Sequence, residues 1–130
     1  MKYLLDTHLL IWISDKDLNH LVPTEVTEII ADNANDVLFS VASLWEIVIK
    51  SGLGREDFQI DAEKLRLGAL ASGFEELPIL APHTFALAEL PLIHKDPFDR
   101  LLIAQAKTES AELLTHDETV NEYGTPVRLV

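Results

Sequence analysis

Residues 2–13 read KYLLDTHLLIWI, and this stretch decides the fold. Residues 2–5 are a short apolar run that predicts a buried strand, and the run ends at an acid, Asp6. Residues 7–13 predict a helix, with Thr7 as its N-cap. A strand that leads directly into a helix is how a βαβ unit begins, so a parallel sheet is expected.

The same alternation continues along the chain. Apolar runs at 37–40, 76–80 and 112–115 predict further strands, and 127–130 predicts an edge strand. Helices are expected at 24–33, 41–50, 62–72, 82–90 and 98–111, with Gly52 ending the helix at 41–50. No repeat, low-complexity tract or linker interrupts this order. The sequence therefore predicts one α/β domain over residues 1–130, with helices on both faces of a short, mainly parallel sheet.

Composition narrows the classes of function. The 130 residues include no cysteine, which excludes disulfides, thiolate metal sites and cysteine nucleophiles and favours a reducing cytoplasm. No apolar run approaches the length of a membrane span, and Asp6 and His8 interrupt the N-terminal run where a signal peptide would be unbroken. We therefore expect a cytoplasmic protein with no membrane association.

The charge balance is the most unusual bulk property. Acidic residues number 22 against 10 Lys and Arg, for a formal net charge of −12. Non-specific binding to phosphates depends on Lys and Arg that displace counterions, so this balance argues against an ordinary nucleic-acid binder. It fits a cation site or a basic protein partner better.

Four acids stand where a parallel sheet places a ligand site. Ligands bind beyond the carboxyl ends of the strands, and Asp6 and Asp117 each follow a predicted strand. Asp99 lies in the first turn of its helix, on the apolar stripe, and Glu46 lies inside an apolar helix. The main packing surface of that second helix is expected from Val41, Leu44, Trp45, Ile47 and Val48.

Each acid also has a plainer interpretation. Asp6 could cap a helix, and Glu46 could form an ion pair with Lys50. Asp99 could interact favourably with the helix dipole, and Asp117 could form an Asx turn. Taken together, however, several carboxylates in one place repel each other and call for a cation. Mg²⁺ accepts oxygen ligands and can activate a water, so it is the natural counter-charge.

Other chemistry has less support. The chain has no glycine-rich phosphate loop, no nucleophile elbow and no paired metal-binding histidines. His8 and His116 lie next to site acids, but a lone histidine more often has a structural or surface role.

Four segments resemble the PIN domain and, more narrowly, the VapC-type toxins of bacterial toxin–antitoxin pairs. They are LLDTH at 4–8, SVASLWEI at 40–47, HKDPFDRLLIAQA at 94–106 and LLTHD at 113–117. The resemblance runs in order over nearly the whole chain and is weakest at residues 53–80. It implies a three-layer α/β/α fold and a Mg²⁺- or Mn²⁺-dependent endoribonuclease that cleaves RNA. It also implies a homodimer that a basic antitoxin inhibits.

The resemblance also assigns residues. The catalytic and metal-binding acids would be Asp6, Glu46, Asp99 and Asp117. Supporting roles beside them are expected for Asp96, Thr115 and Thr7. The rim that guides the RNA strand would include Ser43, Lys50, Arg55, Lys95 and Arg100.

Two alternatives remain at this stage. The first is another Mg²⁺-dependent phosphoryl-transfer enzyme, such as a phosphatase or a flap-type DNA nuclease. A phosphatase with a nucleophilic Asp would need an acid at the position of His8. A receiver domain would also suit the size and the number of acids, but it would need a lysine where Asp117 and Glu118 stand. The second is a catalytically silent PIN scaffold that only binds a partner, although such scaffolds typically lack one of the four acids.

Overall fold

The computed structural model describes residues 1–130. Its strands are β1 (Lys2–Leu5), β2 (Asp36–Ser40), β3 (Glu75–Leu77), β4 (Glu112–Thr115) and β5 (Val127–Leu129). Its helices are α1 (Thr7–Ser14), α2 (Thr24–Ala31), α3 (Val41–Ser51), α4 (Ala62–Ala71), α5 (Ala81–Ala88), α6 (Pro97–Thr108) and α7 (Glu118–Asn121), with a 3₁₀ turn at Asn19–Leu21.

The five strands form one sheet in the order β3-β2-β1-β4-β5, and every neighbouring pair is parallel. Alternate residues of β1 enter different hydrophobic clusters, as a strand buried on both faces requires. Leu5 belongs to a cluster with side chains of α1, α2 and α4, whereas Leu4 belongs to a cluster formed mainly with α6. The predicted three-layer α/β/α architecture is confirmed.

The central position of β1 places the carboxyl end of the strand beside two neighbours. Leu5 pairs with Leu114 of β4, and Leu4 pairs with Leu38 of β2. Residues that follow β1, β2 and β4 therefore meet at one edge of the sheet. Asp6, the start of α3 and Asp117 all lie at that edge.

Several boundaries differ from those predicted. β3 ends at Leu77, just before Pro78, which has no N–H to continue the strand ladder. α6 ends at Thr108, and Ser110 then adopts a left-handed φ of 55°, so that Ala111 N–H donates to Ala106 O. Helix α7 and the 3₁₀ turn were not predicted, because both are too short for a periodic pattern. No helix combines the length and apolar character needed to cross a bilayer.

The predicted packing face of α3 is only partly right: Ile47 is buried and Leu44 packs against the core as expected, but Trp45 and Val48 do not. Its buried residues are Ala42, Ser43, Glu46 and Ile47. Trp45 is 53% exposed and Val48 is 59% exposed. The helix therefore turns a partly polar face toward its neighbours and leaves part of its apolar stripe in solvent.

Candidate functional site

Asp6 lies at the junction of β1 and α1 and is almost fully buried, with 6% of its surface exposed. Its Oδ1 accepts the N–H of Leu9 at 2.8 Å, so Asp6, and not Thr7, is the N-cap of α1. Its Oδ2 accepts the hydroxyl of Thr115 at 2.6 Å. The cap predicted at Thr7 is therefore wrong, because the acid one residue earlier already bonds the first turn of the helix.

Thr115 connects Asp6 to Asp117. Its Oγ1 donates to Asp6 and accepts the N–H of Asp117 at 3.1 Å. Asp117 is exposed and caps α7 by accepting the N–H of Thr119 at 2.8 Å. The capping roles considered for Asp6 and Asp117 are therefore both present, and each uses only one carboxylate oxygen.

Glu46 is the most buried of the four predicted acids, with 2% of its surface exposed. Its Oε1 accepts the hydroxyl of Thr7 at 2.7 Å, and Thr7 Oγ1 also lies 2.9 Å from Ser43 Oγ. Its Oε2 accepts Lys50 Nζ at 2.5 Å. The expected pair with Lys50 is present, but an ordinary solvent-exposed helix pair would not bury its carboxylate.

Asp99 lies in the first turn of α6, half-buried, and its Oδ2 is 2.9 Å from His94 Nε2. Asp96 caps the same helix by accepting the N–H groups of Phe98 and Asp99. His94, Asp96 and Asp99 can offer ligand atoms within 4.8 Å of one another, and no other group of three acids or histidines does so. Sequence reasoning gave His94 no role, although it stands only five residues before Asp99.

A loop clamp holds His94 in place. The Tyr123 hydroxyl accepts the N–H of His94 at 2.9 Å and donates to the His94 carbonyl at 3.2 Å. Arg100 donates to that same hydroxyl at 2.9 Å and to Pro91 O at 2.8 Å. Tyr123 and Arg100, the two residues of this loop clamp, therefore hold the loop between α5 and α6 at Pro91 and His94.

Burial and mutual repulsion shift the acids in the same direction. Burial raises the pKa of Asp6 above its usual value, against the hydrogen bonds from Thr115 and Leu9, and the Asp117 charge adds to the rise. Burial also raises the pKa of Asp99 to about 6, and the nearby charges of Asp96 and Glu46 contribute to this rise. These couplings place Asp117 near Asp6, and Asp96 and Glu46 near Asp99.

The site fits a hard divalent cation by its donor chemistry. Its donors are carboxylate oxygens with one histidine nitrogen, and burial, with smaller contributions from neighbouring carboxylates, raises the pKa of Asp6 and Asp99, so that a bound cation would stabilise their charged forms. The acids form two groups, Asp6 with Asp117 and Glu46 with Asp96 and Asp99, and do not converge on one set of ligand atoms. Thr7, next to Asp6 in the chain and bonded to Glu46, connects the two groups.

The residues predicted for the substrate rim are mostly engaged elsewhere. Ser43 is completely buried against Thr7, so its placement at the rim is wrong. Arg55 is exposed and pairs with Asp57 at 2.7 Å, and Arg100 belongs to the loop clamp. Lys50, which contacts Glu46, and the exposed Lys95 are the rim candidates that remain.

The PIN domain family model matches residues 3–125. No curated protein sequence matches significantly. Among solved structures, the chain is similar to one in VapBC2 from Rickettsia felis bound to a promoter DNA fragment, with a TM-score of 0.69 and 20% identity over 100% of this chain and 98% of that chain.

Two further solved structures show the same likeness. A chain of VapBC-1 from nontypeable Haemophilus influenzae gives a TM-score of 0.64 and 16% identity, over 100% of this chain and 97% of that chain. A chain of VapBC-5 from Mycobacterium tuberculosis, a member of the VapBC family of toxin–antitoxin systems, gives a TM-score of 0.59 and 18% identity, over 99% of this chain and 97% of that chain. At these identities the likeness establishes the fold.

Proposed function

The chain belongs to the PIN-domain family, and on that premise we propose that it is a Mg²⁺- or Mn²⁺-dependent endoribonuclease of the VapC type, the toxin of a cytoplasmic toxin–antitoxin pair. One observation carries the proposal: Asp6 and Glu46 are buried acids at the edge of the sheet where ligands bind, and the charge of Glu46 contributes to raising the pKa of Asp99 to about 6. Acids held in this way are more typical of functional sites than of stable cores.

We assign metal binding to four carboxylates, with Asp6 and Asp117 in one group and Glu46 and Asp99 in the other. When bound, the ion supplies an activated water and neutralises the charge that develops on a phosphoryl oxygen. The protein orients its own ligands beforehand: Thr115 holds Asp6, Thr7 holds Glu46, and His94 holds Asp99. Asp96 supports the site indirectly, by capping the helix that carries Asp99.

The first experiment tests metal dependence on single-stranded RNA. Cleavage should disappear with a chelator and return with Mn²⁺ or Mg²⁺, whereas Zn²⁺ should substitute poorly because the donors are mainly carboxylates. Asp6→Asn and Asp99→Asn should each reduce cleavage by at least about a hundredfold, because each removes ligand charge from the ion.

The matched control is Asp17→Asn, since Asp17 is exposed and its carboxylate accepts no hydrogen bond. All variants should keep the wild-type circular dichroism spectrum. Cleavage that persists in chelator would reject the mechanism. A wild-type protein without cleavage under any metal would instead favour the silent scaffold that only binds a partner.

An antitoxin partner is supported by the relatives and by charge. The similar structures include VapBC complexes and a toxin–antitoxin complex from Klebsiella pneumoniae. A chain of net charge −12 attracts basic segments and repels bare RNA. We therefore propose that a basic antitoxin tail inhibits the enzyme by bringing an Arg or Lys to the carboxylates.

A cavity of about 560 Å³ lies between α1 and α4 and suits the apolar part of such a tail. Its walls include Ile11, Ile13, Leu65 and Phe74, with Lys16 at the edge. The two tryptophans of the chain, Trp12 and Trp45, do not line this cavity. Trp12 instead contacts His116, and Trp45 contacts Phe98.

Titrating tail peptide against cleavage at several Mg²⁺ concentrations tests this binding mode. Inhibition should weaken as Mg²⁺ increases, and it should weaken when the basic residue of the tail is changed to Ala. An inhibition constant that neither change affects would exclude a shared pocket. The ribonuclease proposal would survive that result.

A further inference from the structure

Lys50 occupies an unusual position for a lysine in the last turn of a helix. Its Nζ lies 2.5 Å from Oε2 of Glu46, and the side chains are 35% and 3% exposed, respectively. The cation is therefore reachable from solvent, whereas the anion is not. Arg55 and Arg100, two of the other basic candidates, are bonded to groups outside the carboxylate site.

The ammonium also lies near the second half of the site. Burial alone would lower the pKa of Lys50, but its hydrogen bond to Glu46 and the charges of Glu46, Asp96 and Asp99 raise it. Lys50 thus stands between the buried Glu46 and the acids at the start of α6. Its ammonium group therefore interacts with the carboxylates of Glu46, Asp96 and Asp99.

Two properties make this contact exchangeable. A lysine carries a compact charge on a flexible four-carbon stem, and here about one-third of the side chain is already in solvent. A divalent ion bound at Oε2 of Glu46 would take the oxygen that Nζ uses and would repel the ammonium at short range. Ion and ammonium therefore compete for this oxygen.

Resting on the proposed function, we propose that Lys50 is an exchangeable internal counter-ion: it neutralises Glu46 until a divalent ion binds, and then moves outward. The ion must displace the ammonium, so Lys50 lowers the affinity of the site for metal. The stem keeps the displaced ammonium at the rim, where a substrate phosphate is the next available anion.

The test compares Mn²⁺ binding to the wild type, Lys50→Met and Lys50→Arg, by calorimetry and by melting temperature. Lys50→Met should melt at a lower temperature than the wild type in chelator, because Glu46 loses its partner. It should bind Mn²⁺ at least about tenfold more tightly, since the ion no longer has to displace an ammonium from Glu46. With excess Mn²⁺, this should increase the metal-induced rise in melting temperature by about 5 °C.

Two variants serve as controls. Lys50→Arg keeps the positive charge and should keep the weaker metal affinity of the wild type. Lys107→Met removes an exposed lysine that makes no ion pair or hydrogen bond and should behave as the wild type. If Lys50→Met does not fold in chelator, Glu46→Gln/Lys50→Met removes both charges. In chelator, that double variant should not show the decrease in melting temperature that is expected for Lys50→Met.

A measurement on the wild type does not depend on whether Lys50→Met folds. The lysine ¹⁵Nζ signal of Lys50, assigned by its loss in Lys50→Arg, should shift on Mg²⁺ addition toward the position of the exposed lysines.

The outcomes separate the two ideas. Equal Mn²⁺ affinity in the wild type and Lys50→Met would overturn the counter-ion proposal. So would a Lys50 signal that Mg²⁺ leaves unchanged while metal-dependent cleavage persists. Neither result would contradict the proposed nuclease activity. Mn²⁺ binding by Lys50→Met alone supports the counter-ion strongly. No Mn²⁺ binding and no cleavage in any variant overturns the proposed function and, with it, this inference.

Discussion

Replacing Asp99 by Asn should stabilise the metal-depleted protein at neutral pH. Burial first, and then the charges of Asp96 and Glu46, raise the pKa of Asp99 from 3.8 to about 6, against the hydrogen bond from His94. The folded state therefore holds more protons than the unfolded state between about pH 4 and 6. The stabilisation is present below the unfolded pKa and is lost as the pH rises through the folded one.

The size of the effect follows from the two pKa values. Their difference corresponds to about 3 kcal/mol at 1.36 kcal/mol per pKa unit. Because the Asp99 side chain is 21% exposed, solvent screening reduces this to about 1–2 kcal/mol. For a chain of this length, that raises the melting temperature of Asp99→Asn over the wild type by roughly 3–8 °C at pH 7.

Thermal unfolding in chelator from pH 4 to 7.5 provides the assay, with Asp17→Asn as the exposed control. The stability difference between Asp99→Asn and the wild type should be near zero at pH 4 and should grow through pH 6. Adding Mn²⁺ at pH 7 should reverse the order, because the wild type gains a ligand charge that the variant lacks. A difference that does not change with pH, or an Asn variant that is less stable at pH 7, would refute the electrostatic reasoning.

Three further predictions follow from individual contacts. Thr115→Val should cost about 1.5–3 kcal/mol of unfolding free energy, because the buried Asp6 loses a charge-assisted hydrogen bond, whereas Thr115→Ser should stay close to the wild type; urea titration of both variants measures this. Tyr123→Phe should release the His94 loop, which would show as faster amide exchange at residues 91–95 and weaker Mn²⁺ binding, with the melting temperature little changed. Val48→Glu should convert the homodimer that the family resemblance implies to a monomer in analytical ultracentrifugation, because it charges an exposed apolar face of α3; an unchanged dimer would place the interface elsewhere.

The layered architecture could be predicted because local rules and the tertiary structure agree. The apolar runs that became β1, β2 and β4 are buried on both faces of the sheet, so their patterns are continuous and easily recognised. The rule that ligands bind beyond the carboxyl ends of strands then selected Asp6 and Asp117 without any knowledge of side-chain contacts. Short elements such as α7 offer no period to detect.

The packing of α3 shows where such reasoning fails. An apolar stripe predicts the buried face only when burial is governed by hydrophobicity, and here Ser43 and Glu46 are buried instead of Trp45. Their burial is tolerated because Thr7 satisfies them, and Thr7 lies 36 and 39 residues earlier in the chain. No pattern within the helix reports a partner at that distance.

The roles of His94 and Arg100 were hidden for the same reason. Both depend on the hydroxyl of Tyr123, which lies 29 and 23 residues further along the chain. Arg100 looks like a free cation beside an acid in the sequence, but its guanidinium is committed to the loop. Side-chain type and spacing identify the acids of the site, whereas the residues that orient them become visible only from long-range contacts.

The net charge of −12 also has a different meaning once the acids are located. The buried Asp6 and Glu46 are held by hydroxyl groups, a backbone N–H and one ammonium, and not by a basic surface around them. A substrate phosphate therefore meets few fixed cations here, chiefly Lys50 and Lys95. On the proposed mechanism, the attraction for RNA must come mainly from the bound ion and from the ammonium that it displaces. An acidic protein can act on a polyanion in this way because the positive charge is concentrated at the scissile phosphate and absent from the surrounding surface.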